Sequence, residues 1–255
     1  MRKFEPKISV IMSVYNEEKN ISKSIKSVLS QNYRNFELLI FDDCSNDNTV
    51  NILRKFLKKS KKIKCFFNKK NIGLTKALNF LIKKSKGKYI ARIDGDDLWF
   101  KNKLKIQYNC LKKNNLFLVG SNCFFKKNNK IVKKSNLPLT YKDIKKCIFF
   151  YNPIIHSSVL FKKYNKTKFY DENFTKCQDY AAWVKCVLDN KVMQNVSNHL
   201  VAHDISRNFH ISTLINTFKV KINILKKIKK PTYLIHIFVW FMINFIKFAM
   251  NKKTL

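Results

Sequence analysis

The first half of the chain predicts an α/β fold: a mostly parallel central sheet with helices on both faces, followed by a C-terminal helical segment. Short apolar runs of strand length alternate with segments whose apolar residues recur every three or four positions. The runs are apolar throughout, as in strands covered on both sides. Each run also ends in a polar cluster, Tyr15-Asn16-Glu17, Asp42-Asp43 or Asp94-Gly95-Asp96. Sheets of this kind hold ligands at the carboxyl ends of their strands.

Ile8 to Val14 is the first strand, and Ile21, Ile25, Val28 and Leu29 follow at helical spacing. Phe36 to Phe41 is the second strand. Asp47 then stands where it can cap a helix carrying Val50, Leu53, Phe56 and Leu57. Ile63 to Phe67 makes a third strand, Leu74, Leu78, Leu81 and Ile82 a third helix, and Lys88 to Ile93 a fourth strand. Beyond these, Leu116 to Phe125 and Lys130 to Lys133 form a hairpin around Asn128-Asn129. Tyr151-Asn152-Pro153 breaks the chain, Ser158 to Phe161 is a short strand, and Asp179 to Leu188 is helical. Ile211, Ile215, Phe218, Ile222, Leu225 and Ile228 mark an amphipathic helix with lysines opposite.

A chain of 255 residues builds one large domain, or one domain with an appendage. The expected division is a domain over 1–205, with halves at 7–115 and 116–205, and a basic helical tail over 206–255. No apolar leader precedes the first strand, so no signal peptide is expected. The seven cysteines include no Cys-x-x-Cys pair, which argues against a zinc site or a disulfide framework and suits a reducing cytoplasm.

The net charge of +36 raises a nucleic-acid-binding alternative. The charge is nearly all Lys spread over every segment, with few Arg for bidentate contacts, so no nucleic-acid partner is expected. After Asp204 only basic charges remain, a bias that suits an anionic membrane surface. Thr232 to Met250 approaches the roughly 20 residues that cross a bilayer. Tyr233, His236, Trp240, Asn244 and Lys247 put a polar-aromatic stripe along it, which favours an interfacial helix and a peripheral position at the membrane over a true span or a helix packed in a core or oligomer.

The acidic knot Arg92-Ile93-Asp94-Gly95-Asp96-Asp97 is anomalous in so basic a protein. Carboxylates this close repel one another unless a cation sits between them. Such a cation, Mg²⁺ or Mn²⁺, can grip a diphosphate.

Together with Ile8-Ser9-Val10-Ile11-Met12-Ser13-Val14-Tyr15-Asn16-Glu17, Phe36 to Asp47 and Asn71-Ile72-Gly73-Leu74, this motif resembles glycosyltransferase family 2, the inverting nucleotide-sugar transferases of GT-A (Rossmann-like) fold. The resemblance is dense over about residues 7–110 and thinner to about 205. It implies a nucleotide-sugar donor, in particular a UDP-sugar, and transfer of a single sugar to a glycan or lipid-linked acceptor in surface-polysaccharide biosynthesis. Asp94 and Asp96 would hold the metal. Ser13, Tyr15, Glu17, Asp42, Asp43, Lys76, Arg92, Asp94 and Gly95 would bind the nucleotide and diphosphate, with the Tyr15 ring on the base. Asp179, in Gln178-Asp179-Tyr180, would be the general base that takes the acceptor proton. Asp97, His156 and Trp183 are acceptor-side candidates.

Two departures matter. Relatives carry an Arg-x-His segment after the base helix, whereas this chain reads His203 to His210 with Arg207 respaced. The multi-helix channel and the Gln-x-x-Arg-Trp motif of processive synthases are missing from the sequence, which points to transfer of one sugar. An inactive scaffold of the same fold is disfavoured because Asp94, Asp96 and Asp179 are all present.

Overall fold

The computed structural model describes residues 7–164, 168–206 and 211–228. Arg207 and His210 lie outside the described residues, as does the expected interfacial segment 232–250.

The expected α/β alternation is present. Strands β1 (Ile8–Val14), β2 (Phe36–Asp42), β3 (Ile63–Phe67) and β4 (Tyr89–Arg92) alternate with helices α1 (Ile21–Leu29), α2 (Thr49–Lys59) and α3 (Leu74–Lys84). They pair in parallel in the order β3-β2-β1-β4. The second half adds β5 (Leu98–Trp99), α4 (Lys103–Lys113), β6 (Leu118–Lys127), β7 (Lys130–Lys134), α5 (Tyr141–Cys147) and β8 (Leu160–Lys162). It closes with α6 (Gln178–Leu188), β9 (Met193–Asp204) and α7 (Ile211–Ile228). One sheet continues through both halves as β3-β2-β1-β4-β8-β6-β9-β5, with β7 on β6. The parallel character does not persist: β8 runs antiparallel to β4 and β6, and β5 antiparallel to β9.

The core lies in two layers, as the two-residue period of a strand requires. Ile11, Leu39, Phe41 and Ile90 face α3 and α6. Val10, Met12, Leu38 and Ile40 face the opposite way, with Ile21, Ile25 and Leu104. The N-cap of α2 is Asn48, and Asp47, one residue earlier than expected of a cap, accepts from the first helical N–H, that of Thr49, at 2.9 Å. Asn128 and Asn129 both have positive φ, 50° and 62°, the backbone that a tight two-residue hairpin loop requires between β6 and β7. No helix among the described residues is long and apolar enough to cross a membrane.

Candidate active site

The acidic knot forms the turn between β4 and β5. Arg92 ends β4 with 2% exposure, so its guanidinium is committed to protein. It forks onto both carboxylate oxygens of Asp94, with Nη1 to Oδ2 at 2.6 Å, and Nη1 donates to Ser157 Oγ at 3.1 Å. Asp94 lies two residues past Arg92, beyond the end of β4, and the guanidinium fork meets it there, while Arg92 also lines the cavity of Asp94, Asp96 and Asp179. Ser157, in a 3₁₀ turn at His156–Ser158, also donates to Asp94 Oδ2 at 3.0 Å.

Asp97 is fully buried. Its oxygens accept from the Asp204 N–H at 2.7 Å and from His203 Nδ1 at 2.9 Å, pinning the turn to the end of β9. Burial alone would raise the Asp97 carboxyl, but the hydrogen bond and charge of His203 hold it below the ordinary carboxylate value. For His203, burial pulls down, and the hydrogen bond and charge of Asp97, with Asp94 and Asp96 behind it, lift the imidazole to about 9.

Asp96 behaves differently. It is 8% exposed, and burial followed by the charges of Asp94 and Asp97 pushes its carboxyl up to about 7. Ligand atoms of Asp94, Asp97 and His203 lie within 4.8 Å of one another. Hard carboxylate oxygens suit Mg²⁺ or Mn²⁺, and His203, oriented through Nδ1 by Asp97, would join as a ligand only by giving up its Nε2 proton to the incoming cation. The donor set therefore fits a divalent metal, and the raised Asp96 carboxyl is the charge that such a metal would relieve.

Asp179 stands in the first turn of α6, after Cys177, whose backbone is left-handed at φ 57°. Its carboxyl is pushed up by burial, against the Tyr180 N–H, the Arg92 charge and a 2.8 Å hydrogen bond from Asn152 Nδ2. Asp179 shares a cavity of ≈ 570 Å³ with Arg92, Asp94, Asp96, His156 and His203. Residues some eighty positions apart in sequence thus meet across one space.

The remaining expected donor-side residues stand outside the wall of that cavity. Tyr15 is 48% exposed just past the end of β1, where its ring is available for stacking. Ser13 is half-buried in β1. Glu17 is buried against Gly95: a Cβ on Gly95 would come within 3.0 Å of Glu17 Cγ and Val14 Cγ1, so glycine permits the two strand-end loops to touch.

Asp42 and Asp43 are buried loop anchors. Asp42 Oδ2 accepts from the Ser45 N–H at 3.1 Å. Asp43 accepts from the N–H groups of Ile72 and Gly73, each at 2.8 Å, and fixes the entry to α3, where Gly73 has φ 84°. Lys76 is exposed on α3, off the Ala77-Leu78-Leu81 face, and lines a separate groove with Asn79, Lys83 and Glu172. It does not meet the acidic knot.

On the other side, His156 lines the cavity of Asp179 and its Nε2 lies 2.8 Å from the Tyr170 hydroxyl. Burial, with the charges of Arg92 and His203, keeps its imidazole neutral. Trp183 is fully buried in the core, between His156 and Phe169. Sequence reasoning missed Ser157 and Asn152. Asn152 sits in an irregular segment marked by Asn152-Pro153, and Ser157 in a three-residue 3₁₀ turn that no sequence pattern signals.

The family model described as Glycosyl transferase family 2 matches residues 9–182, and the chain belongs to that family. A curated Escherichia coli relative, "UDP-Glc:alpha-D-GlcNAc-diphosphoundecaprenol beta-1,3-glucosyltransferase WfgD", is 35% identical over 72% of this chain and 71% of its own. An uncharacterized glycosyltransferase of Methanocaldococcus jannaschii is 30% identical over 79% of this chain and 71% of its own. Among solved structures, S. aureus TarS 1-349 in complex with UDP-GlcNAc superposes with a TM-score of 0.69 at 22% identity, covering 86% of this chain and 66% of that one. The Pyrobaculum calidifontis mannosyltransferase PcManGT in complex with GDP-Man and Mn²⁺ gives 0.63 at 15% identity, covering 92% and 70%. A longer TarS chain is covered over only 40% of its length. These likenesses establish the GT-A fold.

Proposed function

We propose that the chain transfers a single sugar from a UDP-sugar to a lipid-linked glycan acceptor, with inversion, at the cytoplasmic face of the membrane. The observation that carries this reading is the cavity that Asp179 shares with Asp94 and Asp96. Asp179 takes the proton from the acceptor hydroxyl as its oxygen attacks the anomeric carbon. Its raised carboxyl makes it a stronger base than an exposed aspartate. Asp96 and Asp94, with His203 beside them, would hold a divalent metal, which supplies charge stabilisation at the departing diphosphate. Arg92 and Ser157 fix Asp94, and Asp97 fixes His203. Tyr15 stacks on the base, beyond the cavity.

The names of relatives support the donor and acceptor classes: the E. coli relative uses UDP-Glc and a diphosphoundecaprenol-linked sugar, and the TarS structure holds UDP-GlcNAc. The basic tail beyond Asp204 provides the attachment to anionic lipid. Deleting residues 231–255 is expected to release the protein from membranes, and a truncated protein that still sediments with them removes this assignment. The decisive experiment on function is slow hydrolysis of a panel of nucleotide sugars with Mn²⁺ present. Release of UDP from one member identifies the donor, and no release from any member refutes the reading.

A further inference from the structure

Just before Asn152, the residue that holds Asp179, the chain presents two large aromatic side chains to the cavity. Phe150 is 45% exposed and Tyr151 48% exposed, and both line the space that contains Asp179. The backbone that carries both rings is fixed from three sides. The Tyr180 hydroxyl of α6 donates to Ile148 O at 2.5 Å. The Lys221 ammonium of α7, itself 2% exposed, donates to Phe150 O at 2.7 Å and Phe149 O at 3.4 Å. The Asn152 side chain donates to the Asp179 carboxylate at 2.8 Å. The base helix and α7 therefore clamp the same short segment that carries the two rings.

The chemistry around the rings is mixed. Asn152, His156, Thr213 and Thr217 line the same cavity with amide, imidazole and hydroxyl groups. A pyranose matches such a wall, because its C–H face packs on an aromatic ring while its hydroxyl edge reaches polar groups. A polyprenyl chain would want an apolar wall throughout. Tyr151 directly precedes Asn152, which is bonded to Asp179, so the rings adjoin the group that takes the acceptor's proton, and a sugar lying on them is assigned to the acceptor.

We propose that Phe150 and Tyr151 form a platform on which a sugar ring of the acceptor stacks, presenting its hydroxyl to Asp179. The proposal rests on the transferase reading and gives the acceptor a carbohydrate at its reacting end. Lys221 acts as a positioning residue for the platform.

The test uses saturation-transfer NMR on the full chain with UDP and Mn²⁺. The probes are the methyl β-glycosides of glucose, galactose and N-acetylglucosamine, with geranyl phosphate as a lipid probe. The wild type is expected to transfer saturation to the ring C–H protons of at least one glycoside. In the Phe150→Ala/Tyr151→Ala double variant that glycoside should bind about tenfold more weakly, while UDP affinity stays at the wild-type value. Phe150→Leu keeps the volume and removes the ring face, and should weaken the glycoside likewise; it carries the test if the double variant loses UDP. Undiminished glycoside binding in the variants overturns the platform. So does a wild type that binds UDP but no glycoside, or one that answers only to geranyl phosphate. A wild type that binds no UDP refutes the transferase reading itself.

Discussion

Asn152 Nδ2 donates to Asp179 Oδ2 at 2.8 Å, joining the loop before β8 to the first turn of α6. The bond favours the charged carboxylate, whereas burial, the larger influence, favours the neutral acid. The balance sets the pH at which the base becomes competent. Because the carboxyl is raised, transfer should fall as pH drops through a value above the ordinary aspartate range.

Asn152→Leu removes the donor, so the acid limb of the kcat/KM profile should move to higher pH. Asp179→Asn should leave UDP binding intact and reduce transfer by about 100-fold or more. An unmoved acid limb in Asn152→Leu would show that the bond does not tune the base.

The Asp96 carboxylate carries the metal assignment. Asp96→Asn keeps the side-chain shape and removes the charge that burial, Asp94 and Asp97 already oppose. Calorimetric UDP affinity in the presence of Mn²⁺ should drop to the value the wild type shows with a chelator, and the variant should respond to Mn²⁺ no further. Full Mn²⁺-dependent affinity in the variant transfers the metal to Asp94, Asp97 and His203 alone.

The parallel half and its strand-end clusters were legible in the sequence because β1, β2 and β4 are apolar on both faces and stop at polar residues. Helix α4 was not, because Lys103 and Gln107 sit on its buried face beside Leu104 and Leu111, breaking the apolar period. Lys103 Nζ is held by Gln107 at 2.8 Å and lies 3.9 Å over the Trp99 ring, partners that only the tertiary fold supplies. Strand β9 was hidden in the same way: Asn195 is buried on hydrogen bonds to the carbonyls of Pro138 and Pro153, and the register against β6 shifts. At the site, Asp94, Asp96 and Asp179 were readable as residue types. Their partners Ser157, Asn152 and His203 arrive from distant segments, so the committed states of Arg92 and Asp97 were not readable.

Stability at the opposite edge of the sheet depends on Glu37. Its carboxylate accepts from Ser9 Oγ at 2.7 Å, the Lys86 N–H at 2.7 Å and Lys64 Nζ at 2.9 Å, tying β1, β2, β3 and the turn before β4 together. Burial raises the carboxyl, but those three donors together hold it below its ordinary value. A depressed folded-state pKa means the contribution is complete above the unfolded value and is lost as pH falls through the folded one. Glu37→Gln should cost about 1–3 kcal/mol at neutral pH. In urea titrations the gap to wild type should narrow below about pH 4. A gap independent of pH would show that packing, not charge, is what the substitution disturbs.

Arg92→Lys separates geometry from charge in the acidic knot. Arg92 spans both oxygens of Asp94 and reaches Ser157 Oγ with one planar fork, all at 2% exposure. Lysine keeps the positive charge but offers a single ammonium that cannot bridge the same pair. Two consequences follow. The partly buried Asp94–Ser157 arrangement loses charge-assisted bonds, so Tm should fall by the equivalent of about 1.5–3 kcal/mol. Asp94 also loses its fixed orientation beside Asp96, so Mn²⁺-dependent UDP affinity should weaken while metal-independent affinity holds. Ser157→Ala, which leaves the fork in place, should show the same pattern at smaller size. If Arg92→Lys lowers Tm and leaves the Mn²⁺ response untouched, the fork braces the turn without presenting Asp94 to the metal, and Asp96 must act without it.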